Sequence, residues 1–311
     1  MALAESTRER LRGYVLTLSA AAGWGTLGLF YTSLNRRYGV APATIALFRT
    51  VLALLILVVL LGVFGRDRLR VRWRDVPLFV ALGVVGISAF CLAYAYAMAI
   101  AGMSVAVVLM YTAPVWVTLY GWRFLHEGLD RVKVLALAGA LLGAALVAQI
   151  YDTGQLRLNL LGIAWGLATG LTYAGQIILG KYALRRYSPW TVQVFSQLFG
   201  APLLMLVQPA GQVRHVLTTP GALALLLTVA AGPTVAAGVA YSAGLARLPA
   251  SVASIVVACE PAIATLLAFV VLGERLAPAQ LLGALAITVS IVLLGRRDLA
   301  EKPAGGAASS R

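Results

Sequence analysis

The sequence has few of the residues that build soluble catalytic or metal sites. Its 311 residues include two cysteines, two histidines and 11 acids, and charged residues make up 12% of the chain. An ordinary soluble domain carries about a quarter charged residues. Cys91 and Cys259 lie in separate apolar runs without metal-ligand spacing, which indicates small core residues. These shortages argue against a soluble domain and against a metal site.

Apolar residues, by contrast, make up 61% of the chain. A run of about 20 such residues crosses the hydrocarbon core of a bilayer as a helix. Ten runs of suitable length occur, at residues 13–34, 43–64, 76–99, 102–122, 132–150, 159–181, 190–208, 221–244, 249–272 and 278–295. We therefore predict an all-α, multi-pass integral membrane protein with ten transmembrane helices, for which the lipid bilayer is an obligatory partner.

The basic residues, which give a net charge of +14, lie between the apolar runs and not on one patch. This distribution indicates membrane topology and argues against nucleic-acid binding. If the N-terminus is cytoplasmic, 19 of the basic residues fall on the cytoplasmic side and five on the other. Because cytoplasmic loops carry an excess of Lys and Arg, both termini are predicted to be cytoplasmic. Residues 1–12 and 296–311 would be flexible cytoplasmic tails.

The chain also repeats itself. A shift of 147 residues superposes 89–127 on 236–274 without a gap, with 12 of 39 positions identical, including Tyr94 with Tyr241. Since each copy would hold five spans, an odd number, the second copy must enter the membrane in the opposite orientation. Inverted repeats are typical of secondary transporters, whose site lies near the midplane between the halves. A smaller offset pairs the "AGWG" of Trp24 with the "IAWG" of Trp165. We predict repeats at 13–150 and 159–295.

Three stretches carry a family resemblance: "AAGWGTLGLFY" opening the first copy, "LFRTVLALLIL" in its second helix, and "EPAIATLLAFVVLGERLAPAQLLGALAITVSIVLLG" closing the second. The chain resembles the EamA family of the drug/metabolite transporter superfamily over nearly all of residues 13–295. The first copy departs from the pattern, with Thr112-Ala113-Pro114 where the second has an acid before its proline. The resemblance implies ten helices, cytoplasmic termini, a central cavity and export of amino acids, metabolites or drugs.

Two ionisable residues lie clearly inside predicted spans, where a charge costs about 2.5 to 3.5 kcal/mol. Glu260 is about twelve residues into the ninth span, close to the midplane. Burial disfavours its charged form, so it could bind substrate or exchange a proton as the coupling ion; alternatively it only bonds neighbouring helices. Arg49, about seven residues into the second span, is near enough to the outer face to snorkel. It is predicted either as a packing or interfacial charge or as a gate or anion contact.

Proline and glycine interrupt matched spans. Pro114 and Pro261 each remove a backbone donor and should kink their helices, and Gly86 and Pro233 occupy matched positions in the third and eighth spans. Paired interruptions of this kind point to a transporter's site and hinges. Ordinary kinks, accommodated by neighbouring helices, are the alternative.

Glu127 and Glu274 end matched helices. We predict that both form minor surface pairs with Arg123, Arg131 or Arg275, because ion pairs at helix ends contribute little.

Aromatic and amide side chains within the spans are the remaining candidates for a binding site. With few charges available, a cavity lined by such groups suits amphipathic or aromatic metabolites. Packing or lipid contact is the alternative for any one ring. The candidates are Trp24, Tyr94, Tyr111, Trp165, Tyr173, Gln176 and Tyr241.

The sequence thus predicts a secondary transporter of the cytoplasmic (inner) membrane that exports small metabolites such as amino acids by rocking of its two halves. A passive facilitator, a multidrug or nucleotide-sugar-type carrier, and a membrane scaffold remain alternatives. An enzyme lacks support, because His126 and His215 lie at span ends and no acid pair or Ser-His arrangement occurs within the spans. No cofactor and no metal are expected.

Overall fold

The structure is a computed structural model that describes residues 2–152, 159–273 and 275–300. Within these ranges the chain is helical and contains no strand. The α-helices are α1 (Ala2–Gly25), α2 (Leu27–Tyr38), α3 (Pro42–Phe64), α4 (Val76–Gly83), α5 (Phe90–Ala101), α6 (Met103–Met110), α7 (Ala113–Phe124), α8 (Arg131–Val147), α9 (Leu160–Ala183), α10 (Pro189–Leu206), α11 (Gln212–Leu217), α12 (Pro220–Val229), α13 (Ala237–Arg247), α14 (Ala250–Val257), α15 (Glu260–Leu272) and α16 (Pro278–Ala300).

Eight helical segments of the described chain are long and apolar enough to cross a membrane. They are Thr7–Tyr38, Pro42–Phe64, Trp73–Ala101, Met103–Phe124, Leu160–Ala183, Pro220–Arg247, Ala250–Val271 and Pro278–Asp298. Each coincides with one predicted run, which confirms an all-helical, multi-pass membrane protein. The other two runs form α8, with 17 residues, and α10, with 18. The count of ten spans stays a prediction.

The two ends of the described chain differ from the predicted flexible tails. Residues 2–12 belong to α1 and residues 296–300 to α16. The two helices meet where Arg10 pairs with Asp298 at 4.0 Å, so each end stabilises the other and both lie at the same end of the bundle. Residues 301–311 of the predicted tail lie outside the described residues.

The α-helix is interrupted just before each of the two prolines that were predicted to kink it. α6 stops at Met110 and α14 stops at Val257, and a two-residue turn separates each from the helix that follows. Pro114 and Pro261 then occupy the first turn of α7 and α15, where a missing N–H costs nothing. Each proline therefore follows an interruption inside one membrane-crossing segment, Met103–Phe124 or Ala250–Val271. The two breaks are one repeat apart, and their role as hinges stays a prediction.

Gly86 and Pro233 also mark matched irregularities. Each lies in a π-helical segment, Val84–Ala89 or Ala230–Ala236, which locally widens an otherwise α-helical span. Gly86 has a second role, because a Cβ there would lie 2.7 Å from Cγ and 3.2 Å from Cα of Gln176 on α9. A larger residue would push α9 away, so this glycine sets the distance between two helices.

Small residues let α8 and α16 approach closely. A Cβ on Gly143 would lie 2.6 Å from the backbone oxygen of Gly283, and the reverse substitution meets the same obstacle. Such contact is how membrane helices gain van der Waals energy when lipid removes the hydrophobic driving force. The two helices close one side of the bundle around the broken helices α6–α7 and α14–α15.

Candidate functional site

Glu260 occupies the break in the second repeat. It is the first residue of α15, directly after the turn Ala258–Cys259, and lies halfway along the membrane-crossing segment Ala250–Val271. Backbone N–H groups at a helix start lack intrahelical partners, and the helix dipole there favours negative charge. The fold thus supplies a favourable place for a carboxylate at the predicted depth. Ala113, its counterpart, begins α7 without an acid.

Three tyrosine hydroxyls lie near the Glu260 carboxylate. That of Tyr111, in the break of the first repeat, is close enough to interact with it. The hydroxyls of Tyr94 on α5 and Tyr173 on α9 are close enough to interact with it electrostatically. A residue in the break of the first repeat therefore lies beside the acid in the break of the second. The structure brings four of the predicted residues together, namely Tyr94, Tyr111, Tyr173 and Glu260.

Arg49 extends toward the interior of the bundle. Its guanidinium interacts electrostatically with Tyr31 on α2, Cys91 on α5 and Glu260, and its Nε atom is buried, so the side chain does not snorkel to the outer face. Cys91, predicted as a small core residue, is thereby part of the polar centre.

Arg49 and Glu260 are near one another but not paired. In the described part of the chain they form no direct ion pair. The Nε atom of Arg49 is buried without a hydrogen-bond partner among the described residues. A buried donor of this kind normally has a partner, so the arrangement leaves bonding capacity for another molecule.

Aromatic rings pack together in the core cluster that contains Tyr111 and Tyr173. Trp24 on α1 packs on Tyr241 of α13 with ring centroids 5.1 Å apart. Phe90 packs on Tyr173 at 5.4 Å and stacks on Tyr94 at 6.1 Å. The hydroxyl of Tyr241 is buried and also lacks a partner in the described structure. Phe90 is not among the residues predicted from the sequence, although it lies one turn before Tyr94 and therefore on the same face of the helix.

Two candidates lie elsewhere. Trp165 stacks on Tyr96 at 4.9 Å, and Tyr96 is 51% exposed, so this pair lies toward the outside of the bundle. Gln176 packs against Gly86 in the contact between α9 and the first π-helical segment. The alignment of Trp165 with Trp24 in sequence therefore does not give the two rings equivalent surroundings.

Glu127 differs from its predicted role as a surface partner of Arg123 or Arg131. Its carboxylate accepts hydrogen bonds from the backbone N–H of Ala250 at 2.6 Å and of Ser251 at 3.1 Å, and from the Ser251 hydroxyl. It caps α14 because that helix start offers unsatisfied donors close by. Its counterpart Glu274 lies outside the described residues.

The model of the EamA-like transporter family matches the chain twice, at residues 11–149 and 160–296. An uncharacterized transporter of Synechocystis sp. is 27% identical over 195 residues, which are 61% of this chain and 58% of that protein. A probable terminal-alkyne amino-acid exporter of Streptantibioticus cattleyicolor is 28% identical over 273 residues, covering 85% of this chain and 87% of that protein.

A solved crystal structure superposes on the model with a TM-score of 0.76, covering 92% of this chain and 98% of the other. At 17% sequence identity, this likeness shows a shared fold and nothing further.

Proposed function

The chain belongs to the EamA-like transporter family, and from this premise we propose that it exports small zwitterionic metabolites, with amino acids as the class, across the cytoplasmic membrane. It is a membrane transporter and not an enzyme. In the proposal the repeats, residues 13–150 and 159–295, are inverted five-helix units that rock about the site to give alternating access. Both termini are cytoplasmic.

One observation carries the choice of substrate class: Arg49 and Glu260 attract each other through space but form no ion pair among the described residues. A guanidinium offers a planar fork of donors that matches a carboxylate, and a carboxylate accepts from an ammonium group. An amino acid carries both partners on one carbon. Its carboxylate would bind Arg49 and its ammonium group would bind Glu260, so that neither buried charge stays uncompensated.

The surrounding rings suggest an apolar or aromatic side chain on the substrate. The rings of Phe90 and Tyr173 pack on each other near Glu260, and the pair Trp24–Tyr241 belongs to the same core cluster. Ring faces also attract a cation, which would strengthen the hold on the ammonium group. The name of the Streptantibioticus cattleyicolor relative, a probable amino-acid exporter, agrees with this class.

Glu260 is also the proposed proton carrier. An intramembrane acid without an ion-pair partner among the described residues could release its proton when the ammonium group binds and recover it when the site empties. Export would then be an exchange of substrate for proton. A passive facilitator would show no such dependence on a proton gradient.

The test is counterflow in proteoliposomes that contain the purified full-length protein. Vesicles loaded with one unlabelled solute should take up the same labelled solute, and the panel should include apolar amino acids, nucleosides and cationic drugs. We expect exchange of apolar or aromatic amino acids, and accelerated net efflux when a proton gradient is imposed. Exchange confined to nucleosides or drugs would refute the substrate class, and no exchange of any solute by folded protein would refute transport.

A further inference from the structure

The turn between α13 and α14 is held from the first repeat by Glu127. This acid accepts from the backbone N–H groups of Ala250 and Ser251 at 2.6 and 3.1 Å, and from the Ser251 hydroxyl. Lys133 on α8 donates to the same hydroxyl at 3.0 Å and to Gly128 O at 2.5 Å. Glu127 and Lys133 precede the repeat boundary and Ser251 follows it, so these bonds join the two halves of the molecule.

The bonds are partly or fully buried, which makes them stronger than the same bonds at a surface. Ser251 is fully buried and Lys133 is 2% exposed. A hydrogen bond to a charged group is stronger than a neutral one, and it gains further strength where water is excluded. Glu127 thus neutralises both the start of α14 and the nearby ammonium group of Lys133.

Lys181, which belongs to the second repeat, hydrogen-bonds to the other side of the same turn. Its Nζ donates to the backbone oxygens of Leu245 and Leu248, each at 2.6 Å. These carbonyls end α13 and have no helical partners of their own. Because Lys181 and the turn belong to one repeat, these bonds stiffen that repeat without joining it to the other.

The opposite end of the bundle is open at the corresponding place. Val117 and Thr118, which lie below Glu127, are 0% and 2% exposed. Their repeat counterparts, Ala264 and Thr265, line a pocket of about 520 Å³ together with Gln280, the counterpart of Lys133. The same structural position is therefore sealed at the end that carries both termini and open at the other.

We propose that Glu127, Ser251 and Lys133 form a lock that closes the molecule at the end carrying both termini, and that the lock must open in each transport cycle. The inference rests on the proposed function, because rocking halves must break the bonds that join them. It assigns Glu127 and Lys133 as positioning residues that set which side of the membrane the site faces.

Thr118 and Thr265 provide a matched pair of probes, since the same residue occupies both repeats. In the full-length protein with Cys91→Ser and Cys259→Ser, either Thr118→Cys or Thr265→Cys is introduced and the rate of labelling by a hydrophilic thiol reagent is measured. Thr265→Cys should label about tenfold faster than Thr118→Cys. Adding Glu127→Gln should raise the Thr118→Cys rate about tenfold and lower the Thr265→Cys rate, because one charged bond is worth about one such factor.

Lys181→Gln is the control, since it loosens the same turn without breaking a hydrogen bond between the repeats and removes only a through-space attraction to Glu127. It should leave both labelling rates within about twofold. Ser251→Ala, which keeps both charges, should give a smaller rise at Thr118→Cys and guards against misfolding of the Glu127 variant. Unchanged labelling of Thr118→Cys in both Glu127→Gln and Ser251→Ala would overturn the lock. It would also be overturned if Lys181→Gln changed the labelling rates as much as Glu127→Gln does, or if labelling became faster at both ends.

Labelling needs no transported solute, so the outcome is separable from the substrate proposal. A shift in accessibility without any transport would retain the lock and refute the proposed function. Transport of amino acids without a shift would do the reverse.

Discussion

Replacing Glu260 by Gln should weaken binding of an amino acid far more than it weakens the fold. The carboxylate lies near the Tyr111 hydroxyl and forms no ion pair with Arg49 in the described structure, so its charge is available to the ammonium group of the substrate. A hydrogen bond to a charged group contributes about 1.5 to 3 kcal/mol. Since each 1.4 kcal/mol is a factor of ten, Glu260→Gln should raise the half-saturating concentration about 10- to 150-fold.

The assay is counterflow in proteoliposomes over a range of substrate concentrations, at a symmetric pH so that no proton gradient contributes. The same amino acid with its amino group acetylated provides the control, because it keeps the carboxylate and the side chain but has no ammonium group. The wild-type protein should prefer the free amino acid, and Glu260→Gln should abolish that preference. Thermal stability in detergent identifies any variant that merely fails to fold.

Two results would refute the reasoning. Equal losses for the free and the acetylated compound would mean that Glu260 does not contact the ammonium group. An unchanged half-saturating concentration together with unaltered proton-driven efflux would leave the acid only a structural role.

Three further substitutions test other parts of the account. Gly143→Ala places a Cβ 2.6 Å from a backbone oxygen of α16 and should destabilise the fold by about 1 to 3 kcal/mol. Gly62→Ala is the control and should not destabilise it, because its Cβ would have nothing within 4 Å. Thermal melts in detergent compare the two variants. Trp24→Ala should raise the half-saturating concentration several-fold, whereas Trp165→Ala should not; equal effects in counterflow would contradict their placement. Burial and the hydrogen bond to Asp75 raise the pKa of the Tyr187 hydroxyl. The contribution of Tyr187 to the free energy of unfolding is therefore complete below its unfolded pKa, about 10, and is lost as pH rises through the higher folded value. Thermal melts should show weaker alkaline destabilisation in Tyr187→Phe than in the wild-type protein.

The sequence predicts the parts of this molecule that depend on local pattern. Each apolar run became a helix, because length and composition suffice for that. The matched prolines located the breaks at Pro114 and Pro261, since a missing donor acts wherever it occurs. The depth of Glu260 followed from counting residues along its helix.

The sequence does not predict features that depend on how a helix is rotated about its axis or on partners far away along the chain. Counting gave the height of Arg49 in the membrane but not the face of α3 on which it lies, and it therefore missed Cys91. Repeat alignment equated Trp165 with Trp24 although their helices present them to different neighbours. Glu127 caps α14 by accepting from the backbone N–H of Ala250, which is 123 positions away, and no local signal in the sequence identifies that partner.

The most direct test of the account is an experimental structure of the full-length protein with a bound apolar amino acid. The account predicts a single ligand between the two breaks, with its carboxylate at Arg49, its ammonium group at Glu260 and its side chain against Trp24 and Tyr241. Arg49 paired directly with Glu260, or the ligand bound only in the pocket at Thr265, would contradict it.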